Sequence, residues 1–276
     1  MEITFYGVRG SVAVPGPDTN EYGGNTPCVH LKTKHGYHII VDAGTGICGL
    51  SRQLLATPLG KGQGEISILL SHTHLDHIQG FPFFIPVFIP GNKIHVYGSN
   101  PQQSDLKTVL EGQLQASFSP IYALSNFGAS LNIQELSSNP LSIDSATVTH
   151  GVMPHRGMDS TAYRIEEDGK SLVYMTDVEH KDGRISDKAL QLAQEANILI
   201  HDTHYTAEDY VNAAGSGHSS IESAIELAKQ AHVKQLVMFH YSPDYNDDAI
   251  RAMYHRYNEQ SGFTLIPAQE GLKLIL

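Results

Sequence analysis

The segment SHTHLDHIQG, residues 71–80, sets His72, His74, Asp76 and His77 within six positions directly after the apolar run EISILL. In a strand, side chains two apart share a face, so His72 and His74 can point together from the end of that run. The chain then turns, and Asp76 and His77 approach from the following loop. This spacing can furnish two adjacent sites, one metal on His72 and His74 and a second on Asp76 and His77. The competing reading is a surface turn that happens to be polar. Imidazole and carboxylate donors suit zinc, and manganese or iron would also fit them.

Around this motif the pattern is alternating and continuous. Strand-like runs occur at EITFYGV, CVHLKT, YHIIVDA, EISILLS, KIHVYGS, ATVTHGVM, TAYRIEE, SLVYMTD, NILIHD, QLVMFHY and LKLIL. Helical patterns lie between them at DLKTVLEGQLQ, DKALQLAQEA, SIESAIELAKQA and DDAIRAMYHRYNE. Ser219 followed by Glu222 predicts a capping box opening the third of these helices. No linker, charge block or low-complexity segment divides the chain, so residues 1–276 read as one α/β domain of sheets covered by helices. The apolar stretch FPFFIPVFI (81–89) holds two prolines and is too short to span a bilayer; it suits core, a lid or a subunit contact.

The charge balance narrows the partners. Eighteen basic against 29 acidic residues give a formal charge of −11, which argues against a nucleic-acid footprint. A small anionic substrate stays compatible, because a metal centre holds phosphate against a negative background. The two cysteines, Cys28 and Cys48, read as reduced thiols, and MEITFYGVRG has no secretory pattern, so a cytoplasmic protein is expected.

The H-x-H-x-D-H resembles the hallmark of the metallo-β-lactamase superfamily, and the resemblance covers nearly the whole chain. It implies a four-layer αββα sandwich, a third histidine and a last histidine for two divalent metals, and a bridging carboxylate between them. Two residues compete for the third histidine, His150 and His155. His150 lies mid-run, whereas His155 follows Pro154 at a strand end, shortly before the "YRI" strand where similar phosphodiesterases place theirs. Asp177 ends SLVYMTD and His240 ends QLVMFH, matching the bridge and the last ligand. In the superfamily an aspartate placed like Asp42, in VDAGTG, orients a ligand histidine. The glycine-rich segment 7–29 forms a loop beside the metals in similar proteins, with Asn25 and Thr26 as candidate phosphate contacts.

LIHDTHY (199–205) and GSGHSS (215–220) resemble two motifs of ribonuclease Z and related phosphodiesterases. By that match Asp202 orients His218, and His218 is the general acid; a histidine held by a carboxylate stays protonated near neutral pH. Asp76 joins them as a catalytic candidate. The implied reaction is attack of a metal-activated hydroxide on a small phosphodiester, a cyclic nucleotide or related cyclic phosphate. The interval from His155 to Asp177 leaves no room for the tRNA-gripping arm of ribonuclease Z. A thioester hydrolase of the glyoxalase II kind and a non-catalytic metal sensor are the rivals. No membrane partner is expected, and a homodimer is, from the FPFFIPVFI run and the pairing common among similar phosphodiesterases. His180, His201 and His204 flank the proposed site residues, and the pattern gives them no role.

Overall fold

The computed structural model describes residues 1–99, 105–121, 123–259 and 262–276. Among them the strands form two seven-stranded sheets. Across the first run β14 (Lys273–Ile275), β1 (Glu2–Gly7), β2 (Cys28–Lys32), β3 (His38–Val41), β4 (Glu65–Leu69), β5 (Lys93–Gly98) and β6 (Ser130–Glu135). Across the second run β13 (Thr264–Pro267), β12 (Gln235–Phe239), β11 (Ile198–Asp202), β10 (Lys170–Met175), β9 (Ser160–Glu167), β8 (Ala146–Met153) and β7 (Leu141–Ile143). Each sheet has an antiparallel half and a parallel half: β3 to β6 are parallel, and so are β10 to β13.

Alternation along the strands explains the layers. In β2 and β3, Val29, Leu31, Ile39 and Val41 join the core shared with the second sheet, while Cys28 and Ile40 join a separate core beneath the helices. That outer core takes Ile47, Leu50 and Leu54 of α1 (Ile47–Leu54) and Leu106 and Leu110 of α3 (Leu106–Gly112). On the far side, α4 (Asp187–Ala193), α6 (Ile221–Gln230) and α7 (Asp247–Asn258) cover the second sheet. The result is the four-layer αββα arrangement. Phe5 of the first sheet meets Phe239 of the second with ring centroids 6.1 Å apart, the kind of pairing that dominates a sheet-on-sheet core.

The topology decides where the site lies. In open α/β sheets, ligands collect beyond the carboxyl ends of the parallel strands. Strand β8 is antiparallel to β9, which is antiparallel to β10, so β8 ends on the same side as β10. The ends of β3, β4, β8, β10, β11 and β12 therefore deliver Asp42, His72, His155, Asp177, Asp202 and His240 to one rim.

Several local expectations change. The helix α2 (Leu75–Ile78) carries Asp76 and His77, which the sequence placed on a loop, and His74 is its N-cap. The capping residue of α6 is Ser220, which accepts from the Ser223 backbone N–H. Ser219 instead donates its hydroxyl to the Val178 carbonyl at 2.6 Å, so the Ser219–Glu222 box does not form. FPFFIPVFI folds as two short 3₁₀ turns, with Phe81, Phe84 and Val87 fully buried and Phe83 51% exposed. Helix α5 (Ala207–Ala213), like α1 and the strands β6, β7 and β13, had no distinct pattern in the sequence. Both cysteines are free thiols. No helix among the described residues is long and apolar enough to cross a membrane.

Candidate metal centre

Three imidazoles converge first. His74 Nδ1 lies 2.9 Å from His72 Nε2 and 3.1 Å from His155 Nε2. Both neighbours are turned inward by what their other nitrogens hold. His155 donates Nδ1–H to the Gly217 carbonyl at 2.7 Å, and His72 Nδ1 lies 3.1 Å from Ser71 Oγ. Those bonds leave the Nε2 lone pairs facing a common point.

Four more donor atoms stand beside this group. His77 Nε2 and His240 Nε2 are 3.3 Å apart, and Asp76 Oδ2 lies 3.3 Å from the first and 3.4 Å from the second. Asp177 Oδ2 completes the set at 3.2 Å from His77 and 3.3 Å from His240. A cation with zinc-like bond lengths holds its donors about 3.3 Å apart, the spacing that His77 and His240 show to each other and to each of the two carboxylates. The other oxygen of the same carboxylate, Asp177 Oδ1, lies 3.8 Å from His72 Nε2 and 3.6 Å from His155 Nε2. One aspartate thus faces both donor sets, and the residues fit two divalent cations.

Electrostatics agree with that fit. His72, His77, Asp177 and His240 are buried, with Asp76 6% exposed. Burial would discharge His77, yet Asp76, Asp177 and Asp42 outweigh it and hold its pKa well above the ordinary value. Burial likewise works against the charge of Asp177, but His240, His77 and His72 keep its pKa well below the carboxylate range. In the bare polypeptide the raised His77 offsets this nest of carboxylates; a divalent cation held there would take over that role.

A second layer holds the donors in place. Asp42 accepts His77 Nδ1–H at 2.8 Å on Oδ2, and the same oxygen accepts the Tyr174 hydroxyl at 2.6 Å from the opposite sheet. Ser71 binds both oxygens of Asp42, through its N–H at 2.7 Å and its hydroxyl at 2.8 Å. Asp42, Asp177 and His240 all have positive φ, at 61°, 54° and 59°, a conformation that Asp and His adopt more readily than most residues. Gly10 lies against His240, where a Cβ would sit 2.5 Å from Nδ1. The Ser11 N–H donates to Asp76 Oδ2 at 2.8 Å. The glycine-rich opening therefore does flank the donors.

Beside the donors stands a carboxylate–histidine pair. His218 donates Nδ1–H to Asp202 Oδ2 at 2.9 Å, and Asp202 Oδ1 accepts the His204 N–H at 2.9 Å. Burial disfavours the His218 cation, but the Asp202 charge and hydrogen bond, with Asp177 and Asp76 behind them, push its pKa up to about 9. The rings of His204 and His218 stack with centroids 4.2 Å apart and planes 12° from parallel. His204 donates Nδ1–H to the His240 carbonyl at 2.8 Å; burial and the His218 charge push its pKa down to about 3.

Other candidates lie elsewhere. His150 sits on β8 with Nε2 2.8 Å from the Ser137 carbonyl, away from the donors. Asn25 donates to Glu270 at 2.9 Å, and the buried Thr26 bonds with Thr45, so both are committed to the loop. His180 and His201 form a separate stacked pair with Nε2 atoms 3.1 Å apart. Ser71, Tyr174 and Glu179 support the site without having been singled out in the sequence, and His204, named there without a role, stacks on His218.

Residues 37–241 match the family model of the beta-lactamase superfamily domain. The chain is 25% identical to ribonuclease Z of Picrophilus torridus over 287 aligned positions, covering 90% of this chain and 87% of that protein. A shorter match to ribonuclease Z of Brevibacillus brevis is 38% identical over 80 residues, or 29% of this chain and 24% of that one. Among solved structures, the metallo-beta-lactamase fold protein YhfI of Bacillus subtilis superposes with a TM-score of 0.73 at 18% identity, covering 99% of this chain and 98% of its own. A diphosphatase from the PhnP family gives 0.68 at 19% identity, covering 100% and 97%.

Proposed function

The chain belongs to the beta-lactamase superfamily, and on that premise we propose that it is a metal-dependent phosphodiesterase acting on a small phosphodiester, a cyclic nucleotide or related cyclic phosphate. The observation that carries this reading is the His218–Asp202 pair beside two donor sets that share Asp177. His72, His74 and His155 would hold one cation, Asp76, His77 and His240 the other, with Asp177 between them. Zinc is the favoured ion for this N/O set, with manganese or iron compatible. Two such ions, when bound, lower the pKa of water and offset the charge growing on phosphoryl oxygens.

The protein's own groups do the rest. Asp202 holds the Nδ1–H of His218 and stabilises its positive ring, leaving the Nε2 proton as the one to give away. As the ester P–O bond breaks, that proton passes to the departing oxygen, and a basic alkoxide leaves as an alcohol. Asp76 accepts the Ser11 N–H while serving the second donor set, so the glycine-rich loop and the metal site form together.

The size of the substrate is argued from the chain between His155 and Asp177. It holds β9, a tight turn at Asp168 and Gly169, and β10, with no projecting arm. The formal charge of −11 points the same way, since binding of a long polyanion draws on an excess of basic residues that this chain lacks. The ribonuclease Z relatives make RNA the alternative substrate. The metal-loaded protein should hydrolyse bis(p-nitrophenyl) phosphate and at least one cyclic nucleotide, and leave a glutathione thioester and a cephalosporin untouched. Thioester turnover without phosphodiester turnover would overturn the proposal. The working unit is proposed as a homodimer, on the strength of the exposed Phe83 and of Leu75, which is 63% exposed, and the two free thiols support a cytoplasmic setting. A monomeric mass in sedimentation, with activity intact, would end that part.

A further inference from the structure

Two residues beyond Asp177, Glu179 reaches into a different loop. Its Oε1 accepts the Tyr210 hydroxyl at 2.6 Å and the Gly215 N–H at 2.6 Å. Its Oε2 accepts the Gly217 N–H at 3.1 Å. Three donors from one segment thus close on one carboxylate, and hydrogen bonds to a charged acceptor are about twice as strong as neutral ones. The anchor itself is fixed: the Glu179 N–H donates to the Pro154 carbonyl at 3.1 Å, and the neighbouring His180 meets His201 across 3.1 Å.

The clamped loop has two outputs. Gly217 is followed by His218, and its carbonyl is the acceptor for His155 Nδ1–H at 2.7 Å. The approach is close enough to require glycine. Gly217 has φ +93°, and a Cβ there would sit 2.5 Å from both His155 Nδ1 and the Arg156 nitrogen. Moving the loop by a few tenths of an ångström therefore moves the partner of a proposed metal donor and the proposed acid together.

We propose that Glu179 is a positioning residue that sets the His155 imidazole and the His218 ring through this one loop. The inference rests on the reading of His155 as a metal donor and His218 as the acid. Orienting partners of this kind typically change metal affinity or activity about 10–100-fold when removed.

The test compares Glu179→Ala, Glu179→Gln and Tyr210→Phe with the unaltered full-length chain loaded with zinc. Zinc affinity is read by competition with a chelator, which needs no turnover. The alanine variant should bind zinc about 10–100-fold more weakly, and its His155 Nδ1–H resonance should lose its hydrogen-bonded shift. Its kcat should fall more than its KM changes, and more for alkoxide than for nitrophenolate leaving groups. Glu179→Gln keeps one acceptor oxygen and Tyr210→Phe keeps the carboxylate, so both should show smaller losses of the same kind. If the alanine variant does not fold, these two decide the matter. Wild-type zinc affinity and wild-type kcat in every variant that folds would overturn the proposal. If His218→Ala shows no dependence on leaving group, the acid reading falls, while the chelator competition still decides whether Glu179 sets His155.

Discussion

Asp42 Oδ2 receives a ring N–H from His77 at 2.8 Å and a hydroxyl from Tyr174 at 2.6 Å, so one oxygen joins the two sheets under the metal site. The carboxylate fixes which nitrogen of His77 faces the donors. Asp42→Asn keeps the shape but offers an amide whose N–H₂ can oppose the imidazole N–H, releasing the ring. Affinity for the more weakly held zinc should fall about 10–100-fold, and chelator competition reads it. Unchanged affinity for both ions would mean that Asp42 serves the sheets alone.

The pH dependence follows from His218. Burial works against its charged form, and Asp202 overrides this to give a pKa of about 9. The acid form is present below that value and is lost as pH rises through it. Turnover of alkoxide esters by the metal-loaded protein should therefore fall as pH rises through the His218 pKa, which cations on Asp76 and Asp177 would bring below its value in the bare polypeptide. In Asp202→Asn the falling limb should move toward the ordinary histidine value of about 6.5. A kcat–pH profile for each protein checks both statements.

Acid lability should have a different source. His30, on β2, is buried with its Nε2 2.9 Å from His38 Nδ1. Burial, with the His38 charge adding to it, pushes its pKa down to about 3. The unfolded chain binds that proton near pH 6.5, so the stability is present above 6.5 and is lost as pH falls toward 3. Each pH unit in that window costs about 1.4 kcal/mol for this histidine. His30→Gln should flatten the fall in stability between pH 6 and pH 4 by that slope, as read by denaturant unfolding. An unchanged slope would place the acid sensitivity elsewhere.

Much of this arrangement was legible because its chemistry sits at strand ends. Apolar runs such as EISILL and QLVMF mark buried strands, and the polar residue ending each one is conspicuous. His155, which follows Pro154 at the end of a strand, comes to lie beside His74, and the mid-strand His150 does not. What escaped the sequence is short or long-range. Helix α2 spans only Leu75–Ile78, less than a periodic pattern needs to declare itself. Strand β6, SLNIQE, is mostly exposed and polar, and β13 is four residues long. The Asp42–Tyr174 bond links positions 132 apart, and Glu179 meets a loop 36 to 38 residues away. No local spacing announces such partners; they exist only once the sheets have packed.

The central claim is that His218 protonates the leaving oxygen of a phosphodiester, and one comparison tests it directly. His218→Ala should retain two metal ions by elemental analysis. On a substrate with a basic alkoxide leaving group its kcat should fall about 10²–10⁴-fold, the usual contribution of general acid catalysis. On a p-nitrophenyl phosphodiester, whose leaving group needs little protonation, the same variant should lose far less. His74→Ala, which removes a proposed metal donor, should damage both substrates alike. Equal losses on the two substrates in His218→Ala, with metal content unchanged, would contradict the account and leave His218 a binding or structural residue.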